Sequence, residues 1–377
     1  MDFKKRNKEN HLKELAIVFL KLGFTAFGGP AAHIAMMQQE VVAKRAWMTE
    51  QHFLDLMGAT NLIPGPNSTE MAIHIGQDRA GWKGLMVAGL CFISPAVFIT
   101  LFFAWLYKEY GQLPEVQPFI YGIKPAIITV ILNAVFPLAK KSLKTMELWI
   151  IGILVLLLSF ADISEIILLF GAGIAAILLH FIRQRNINGS LFPLLLPFQD
   201  FVLTSRHLKL FLIFLKVGAI LYGSGYVLFA FLDTELVSRG LLTRQQLLDA
   251  IAVGQFTPGP VFSSVTFIGY QIDNWSGALV ATLGIFLPSF VFVALLNPIV
   301  KMMRNSTFFS SFLDAVNVAS IAIIIFICYE MAKDSISDWK TVFIAIICFM
   351  IMIFYRKINS AWIVLLGALS GYTLQYL

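Results

Sequence analysis

Charge is scarce in this sequence: 13% of its 377 residues are Asp, Glu, Lys or Arg, against 58% hydrophobic. A soluble domain of that length has no core large enough for so much apolar matter, so a soluble fold is excluded. Cysteine is also thin. Cys91, Cys328 and Cys348 stand singly in apolar stretches, with no CxxC pair and no His at ligand spacing. Packing is their expected role, and neither a metal nor a cofactor is expected. A dinucleotide fingerprint is missing too, which removes a reductase. The net charge of +6 gathers at helix ends. Nothing in it tracks a phosphate backbone, so no nucleic acid is expected; it suits cytoplasmic loops beside anionic membrane lipid.

What is present is apolar length. Stretches from Gly84 to Trp105 and from Gly277 to Val300 are each long enough to cross the roughly 30 Å hydrocarbon layer as a helix. The amino-terminal segment has Lys21 inside its apolar run and no convincing cleavage site, and so reads as a first span rather than a signal peptide.

The chain repeats itself. Phe19–Pro30 is answered by Phe214–Gly225, with Lys21 matching Lys216 at a spacing of 195 residues. Thr49, Gln51, Asp55 and Pro64-Gly65-Pro66 match Thr243, Gln245, Asp249 and Pro258-Gly259-Pro260 at 194, and Trp82 matches Trp275 at 193. The expected organisation is a cytoplasmic tail over 1–11, modules over 12–184 and 207–377, and a connector over 185–206 that supplies an extra crossing. Each module closes with a shorter helix pair, Trp149–Phe160 with Ile163–Ile182 around a turn at Asp162, and Thr341–Phe354 with Ala361 to the end. Lys140, Lys141 and Lys144 make one loop positive where its counterpart is balanced, and the bias swaps at Lys301 and Arg304. The fold class is therefore an all-α polytopic membrane protein whose two homologous modules form an inverted repeat with broken half-helices.

The breaks carry the candidate chemistry. Irregular backbone at membrane depth survives only against protein or a polar cavity. Pro64-Gly65-Pro66 cannot continue a helix, and Asn67, Ser68, Thr69 and Glu70 would open the next one. Helix N-termini suit anions. Pro258-Gly259-Pro260 leads into Ser263, Ser264 and Thr266, without a second Glu70. Gly28-Gly29-Pro30 is an analogous break whose partner, Gly223-Ser224-Gly225, drops the proline. Kinked helices packed through small residues would leave the same pattern. Lys21 and Lys216 lie deep enough to balance a dianion, or else reach the interface along flexible stems. Glu70, His74 and His33 would couple transport to protons. Asp55 and Asp249 read as polar positions on amphipathic helices. A membrane hydrolase using Ser68, His74 and Asp78 is the rival from another class, but no G-x-S-x-G elbow surrounds Ser68. No catalytic residue is expected.

The stretches FGGPAAHIAMM, FLDLMGATNLIPGPNSTEMAIHIG, AGWKGLMVAGLCFISPA and TPGPVFSSVTFIGY resemble the chromate ion transporter family, long-chain type. The resemblance covers almost the whole chain. It implies a two-module protein of the inner membrane that exports chromate, with sulfate as a mimic, and it carries function onto Gly28–Pro30, Pro64–Glu70 and Pro258–Pro260. A permease or channel for sulfate or another oxyanion is the alternative, and a homodimer is left open.

Overall fold

The computed structural model describes residues 2–26, 30–60, 63–111, 113, 115–161, 163–184, 206–221, 227–303, 307–355, 358 and 360–375. Among them every regular element is a helix. The first module comprises α1 (Asp2–Thr25), α2 (Pro30–Gln38) running into a π-helical turn (Gln39–Lys44), α3 (Glu50–Thr60), α4 (Asn67–Tyr110), α5 (Gln117–Ser142), α6 (Met146–Ser159) and α7 (Glu165–Gln184). The second repeats this order as α8 (Arg206–Ile220), α9 (Val227–Leu232) with its π-helical turn (Asp233–Val237), α10 (Arg244–Phe256), α11 (Ser264–Met303), α12 (Thr307–Ser335), α13 (Trp339–Phe354) and α14 (Ser360–Gln375). Among the described residues, four segments are long and apolar enough to cross a membrane, in α4, α5, α11 and α12.

Helix α4 is two limbs. Ala80 (φ −142°, ψ 20°) and Gly81 (φ 62°, ψ −148°) break it, and the limbs fold back on each other so tightly that a Cβ on Gly76 would lie 2.3 Å from the carbonyl oxygen of Gly84. Helix α11 does the same at Asp273 and Asn274 (φ 50°, ψ −140°), where Gly269 meets Gly277 at the same 2.3 Å and Thr266 bonds Thr282 across the fold at 2.8 Å. The two turns lie at opposite ends of the bundle. Lys108, near the far end of α4, donates to Asn274 Oδ1 at 2.6 Å, yet the α4 turn is 27 helical residues away, about 40 Å at 1.5 Å per residue. The modules are therefore inverted. Below, face A is the end with the Ala80–Gly81 turn and face B the end with Asp273–Asn274. Trp82 and Trp275, both exposed beside the turns, place one indole at each end, where aromatic side chains favour a bilayer interface.

The modules also interlock. Helix α1 packs on α4 and α8 on α11, and α4 packs on α11 across the pseudo-symmetry; α5 carries α13 and α14, while α12 carries α6 and α7. Each closing pair thus covers the other module's long helix. Small residues permit this: a Cβ on Gly122 would stand 2.1 Å from the Gly367 carbonyl oxygen. Away from these seams large apolar side chains face outward, Phe98 at 70% exposure and Phe136 at 75%, as a lipid-facing surface requires. The connector's expected crossing, the turn at Asp162, and the glycines of the first break (Gly28, Gly29) with their partners Gly223, Ser224 and Gly225 lie outside the described residues.

Candidate functional site

The first limb of α4, residues 67–79, is 13 residues long, about 20 Å. It starts well inside a roughly 30 Å hydrocarbon layer and runs outward to face A. Helix α3 lies antiparallel to it, joined near the surface by His52 Nε2 and Asp78 Oδ2 at 3.0 Å. Pro64-Gly65-Pro66 is therefore the buried tip of a re-entrant hairpin, and Pro258-Gly259-Pro260 is the same tip entering from face B.

The tips are held by the opposite module. Gly65 N–H donates to the Leu221 carbonyl at 2.7 Å, and Gly259 N–H donates to the Ala26 carbonyl at 2.8 Å. Ala26 and Leu221 are repeat mates, each the first residue past α1 or α8, so each break caps the orphan carbonyls of the other module's first helix. The geometry needs glycine: φ is +134° at Gly65 and +90° at Gly259, a region other residues enter only under strain. Thr69 and Glu70 N–H groups turn back to the Pro66 carbonyl at 2.7 and 3.1 Å. Neither glycine N–H remains for a ligand, and the polar chemistry of the tip rests on side chains.

Those side chains are concentrated and under-satisfied. Ser68, Thr69, Glu70 and His74 are buried. Thr69 Oγ1, both Glu70 oxygens and both His74 nitrogens make no hydrogen bond of ordinary geometry, and neither do Ser264 Oγ and Ser289 Oγ. A Cβ added to Gly65 would sit 2.3 Å from Glu70 Oε1 and 2.8 Å from Ser289 Oγ, so the carboxylate and the second-module hydroxyl converge over that glycine. Leaving a polar group buried without a partner costs about 1–3 kcal/mol, more for a charged one. His33, on α2, brings Nδ1 to 3.3 Å from Ser68 Oγ, which sets the N-terminal turns of α2 and α4 side by side, Pro30 and Asn67 opening them.

The second module does not copy this chemistry. Leu228 stands for His33, Phe262 for Ser68 and Phe267 for His74, all buried. Ser263 or Ser264 stands for Glu70, depending on whether one counts from Pro-Gly-Pro or from Gly269. The count differs because one residue is lost where a 3-10 turn, Val261–Ser263, opens α11. At about 2.0 Å per residue, three 3-10 residues span the length of four α-helical ones. Ser263 is occupied by the Thr100 hydroxyl at 3.3 Å.

Lys21 and Lys216 are each matched by a glutamate. Lys21 Nζ lies 3.2 Å from Glu40, which also takes Lys44 at 2.8 Å and the Arg45 guanidinium. Lys216 lies 2.7 Å from Glu235, which also holds Arg239 at 2.9 Å. The lysine charges expected to balance a dianion are spent within the α1–α2 and α8–α9 hairpins. Glu40 lies outside the four spanning helices, and the hydrogen bond from Lys44, helped by Lys21 and Arg45 against a burial effect of opposite sign, holds its carboxyl down to about 2. The sequence carried a signal for this: Glu40 with Glu235, and Lys44 with Arg239, repeat at the same spacing of 195 as the lysines. Asp249, on the helix that leads to the second break, is buried and accepts from Tyr107 of the first module at 2.6 Å. The side chain of Asp55 lies outside the described residues. The hydrolase triad is not assembled, since Ser68 faces His33, Asp78 faces His52, and His74 has no hydrogen-bond partner.

Comparison with known proteins follows the same division. A family model described as Chromate transporter matches residues 13–177 and again 208–372. The chain is similar to the Probable chromate transport protein of Synechococcus elongatus, 30% identical over 96% of this chain and 95% of that one. It is also similar to the Chromate transport protein of Cupriavidus metallidurans, 31% identical over 96% and 92%. Uncharacterized transporter YwrB of Bacillus subtilis aligns at 26% identity over 42% of this chain but 80% of its own length, so that relative is about one module long. No solved structure matches the chain.

Proposed function

This chain belongs to the chromate transporter family, and on that premise we propose that it exports chromate by alternating access around the Pro-Gly-Pro tips. The observation that carries the reading is the convergence of buried polar side chains on the first tip, where Glu70 and Ser289 meet over Gly65 and His33 reaches Ser68. Hydroxyls suit the oxygens of a tetrahedral dianion, and the half-helix N-termini of α2 and α4 turn their positive ends toward the same region. Glu70 and His74 would exchange protons during the cycle. Glu70 is buried beside the Ser289 hydroxyl, and exchange of a proton there would let the cycle change the charge of the site between its states. Face A would be cytoplasmic, because Lys44, Arg45, Arg79, Lys83, Lys140 and Lys144 gather there and cytoplasmic ends collect Lys and Arg.

The test is labelled chromate flux in proteoliposomes under imposed pH gradients, with sulfate as competitor. In the wild-type protein flux should follow the proton gradient. In Glu70→Gln the gradient should lose its effect while the protein still inserts and melts normally. A Glu70→Gln protein whose flux keeps the wild-type response to pH would remove the coupling role, and sulfate competing as well as chromate would broaden the cargo to tetrahedral oxyanions.

A further inference from the structure

The proposed cycle makes no use of Lys124, a cation within one of the spanning helices. Lys124 sits in the second turn of α5, half-buried, and lines a cavity of about 410 Å³ at face B together with Gln117, Pro118, Tyr121, Asp338 and Lys340. Lys340 donates to the Leu374 carbonyl at 2.7 Å and Tyr121 donates its hydroxyl to Asp338, which fixes the rim. Lys124 itself forms no ion pair within 4 Å among the described residues, although Asp249 is close enough for the charges to interact. Asp249 is on α10, the helix that ends at Pro258-Gly259-Pro260. Lys124 therefore stands between the face B cavity and the helix that leads to the second tip.

The repeat supplies an internal control. At the equivalent place on face A, Lys124 is replaced by Asn317, Tyr121 by Asp314 and Lys340 by Glu147. Asp338 is replaced by Thr145, and both cap the helix that follows. The architecture is shared but the balance of charge is not: two lysines and one aspartate on face B stand against two carboxylates and one lysine on face A, where Lys144 pairs with Asp314 at 3.1 Å. A void left over from packing would give no reason for that reversal.

We propose that the face B cavity is an anion vestibule, in which Lys124 and Lys340 hold a tetrahedral oxyanion of the sulfate and chromate class between the occluded site and bulk water. This rests on the oxyanion reading given above. A cation in a partly enclosed cleft raises the local anion concentration and the rate of encounter, and face B gains this without placing a cation at the buried tip.

The experiment uses the full chain in proteoliposomes, measuring exchange of labelled sulfate or chromate with the anion varied on one face at a time. Lys124→Gln should raise the half-saturating concentration on face B roughly tenfold, weaken its dependence on ionic strength, and leave the face A value near wild type. Lys124→Arg should restore the face B value, which a merely structural defect would not allow. Lys144→Gln, the same charge change on face A, should leave the face B value unchanged. An unchanged half-saturation on face B in Lys124→Gln, or equal shifts on both faces, overturns the vestibule while leaving the oxyanion reading intact. A wild-type protein that exchanges neither anion overturns both.

Discussion

Replacing Gly65 by alanine tests the tip geometry most directly, because the repeat provides Gly259→Ala as a matched comparison. Both glycines have positive φ, +134° and +90°, so each substitution carries about 1–3 kcal/mol of backbone strain. The surroundings then differ. A Cβ on Gly65 would lie 2.3 Å from Glu70 Oε1 and 2.8 Å from Ser289 Oγ, whereas one on Gly259 would meet nothing nearer than Ala96 Cβ at 3.0 Å. Gly65→Ala must also displace the carboxylate or the hydroxyl, and such overpacking adds about 1–3 kcal/mol. The hydrogen bond from residue 65 to Leu221 survives in alanine, so the difference between the two variants isolates the crowding over Glu70. Melted side by side in detergent, Gly65→Ala should unfold several degrees below Gly259→Ala, and Ser289→Ala in the same background should recover part of the loss. Chromate flux should fall with Gly65→Ala beyond what its lower stability explains. Equal melting of the two glycine variants, or Gly65→Ala with wild-type flux and melting, would refute the convergence of Glu70 and Ser289 on this glycine.

Two further outcomes follow from parts of the fold outside the tip. Glu40 is held down to about 2 against an ordinary 4.5, so its contribution to stability is fully present above about pH 4.5 and is lost as the pH falls toward 2; Glu40→Gln should flatten the melting temperature across that window, and an unchanged slope would show that the Lys21–Lys44–Arg45 cluster does not stabilise the hairpin. Gly122→Val would push a side chain into the backbones of Gly367 and Gly371, 2.1 and 2.6 Å from the new Cβ, and should lower the melting temperature by prying α14 from α5, whereas wild-type melting would mean that this seam is not needed.

Much of the architecture was legible because an inverted repeat writes itself twice. The match of Trp82 to Trp275 belonged to the register of the repeat, and the swap of charge between the loops gave the inversion that the Lys108–Asn274 contact displays. The closing helices were placed within a few residues, Met146–Ser159 for an expected Trp149–Phe160 and Trp339–Phe354 for Thr341–Phe354, where capping by Thr145 and Asp338 sets the starts. What the sequence hid was partnership across modules. Nothing in a one-dimensional string says that Gly65 will bond Leu221, that Ser289 will come to stand over Gly65, or that Tyr107 will reach Asp249, since these contacts depend on how two inverted copies dock. The partner of Lys21 was hidden for a related reason: a lysine in an apolar run advertises a cost, and the residue that offsets it, Glu40, lay beyond a helix break.

The reciprocal bonds at the tips also constrain any rocking of the modules. Gly65 to Leu221 and Gly259 to Ala26 cross between modules at the buried ends of both hairpins, and breaking either would strand polar backbone groups where no water replaces them. Motion that slides the modules past one another at that depth must break both bonds, but motion that pivots about the tips can keep both. The polar cluster lies beside this pivot, so displacements there would be small while those at faces A and B would be large. Access would then be controlled far from the cargo, and the chemistry of His33, Ser68, Glu70 and His74 could be confined to one module, with Leu228, Phe262 and Phe267 supplying a dry bearing in the other. Restoring polarity there, as in Phe262→Ser, should leave the tips capped and cost stability through the lost burial without improving flux; a gain in flux would mean that both halves are able to carry the chemistry and that the asymmetry is incidental.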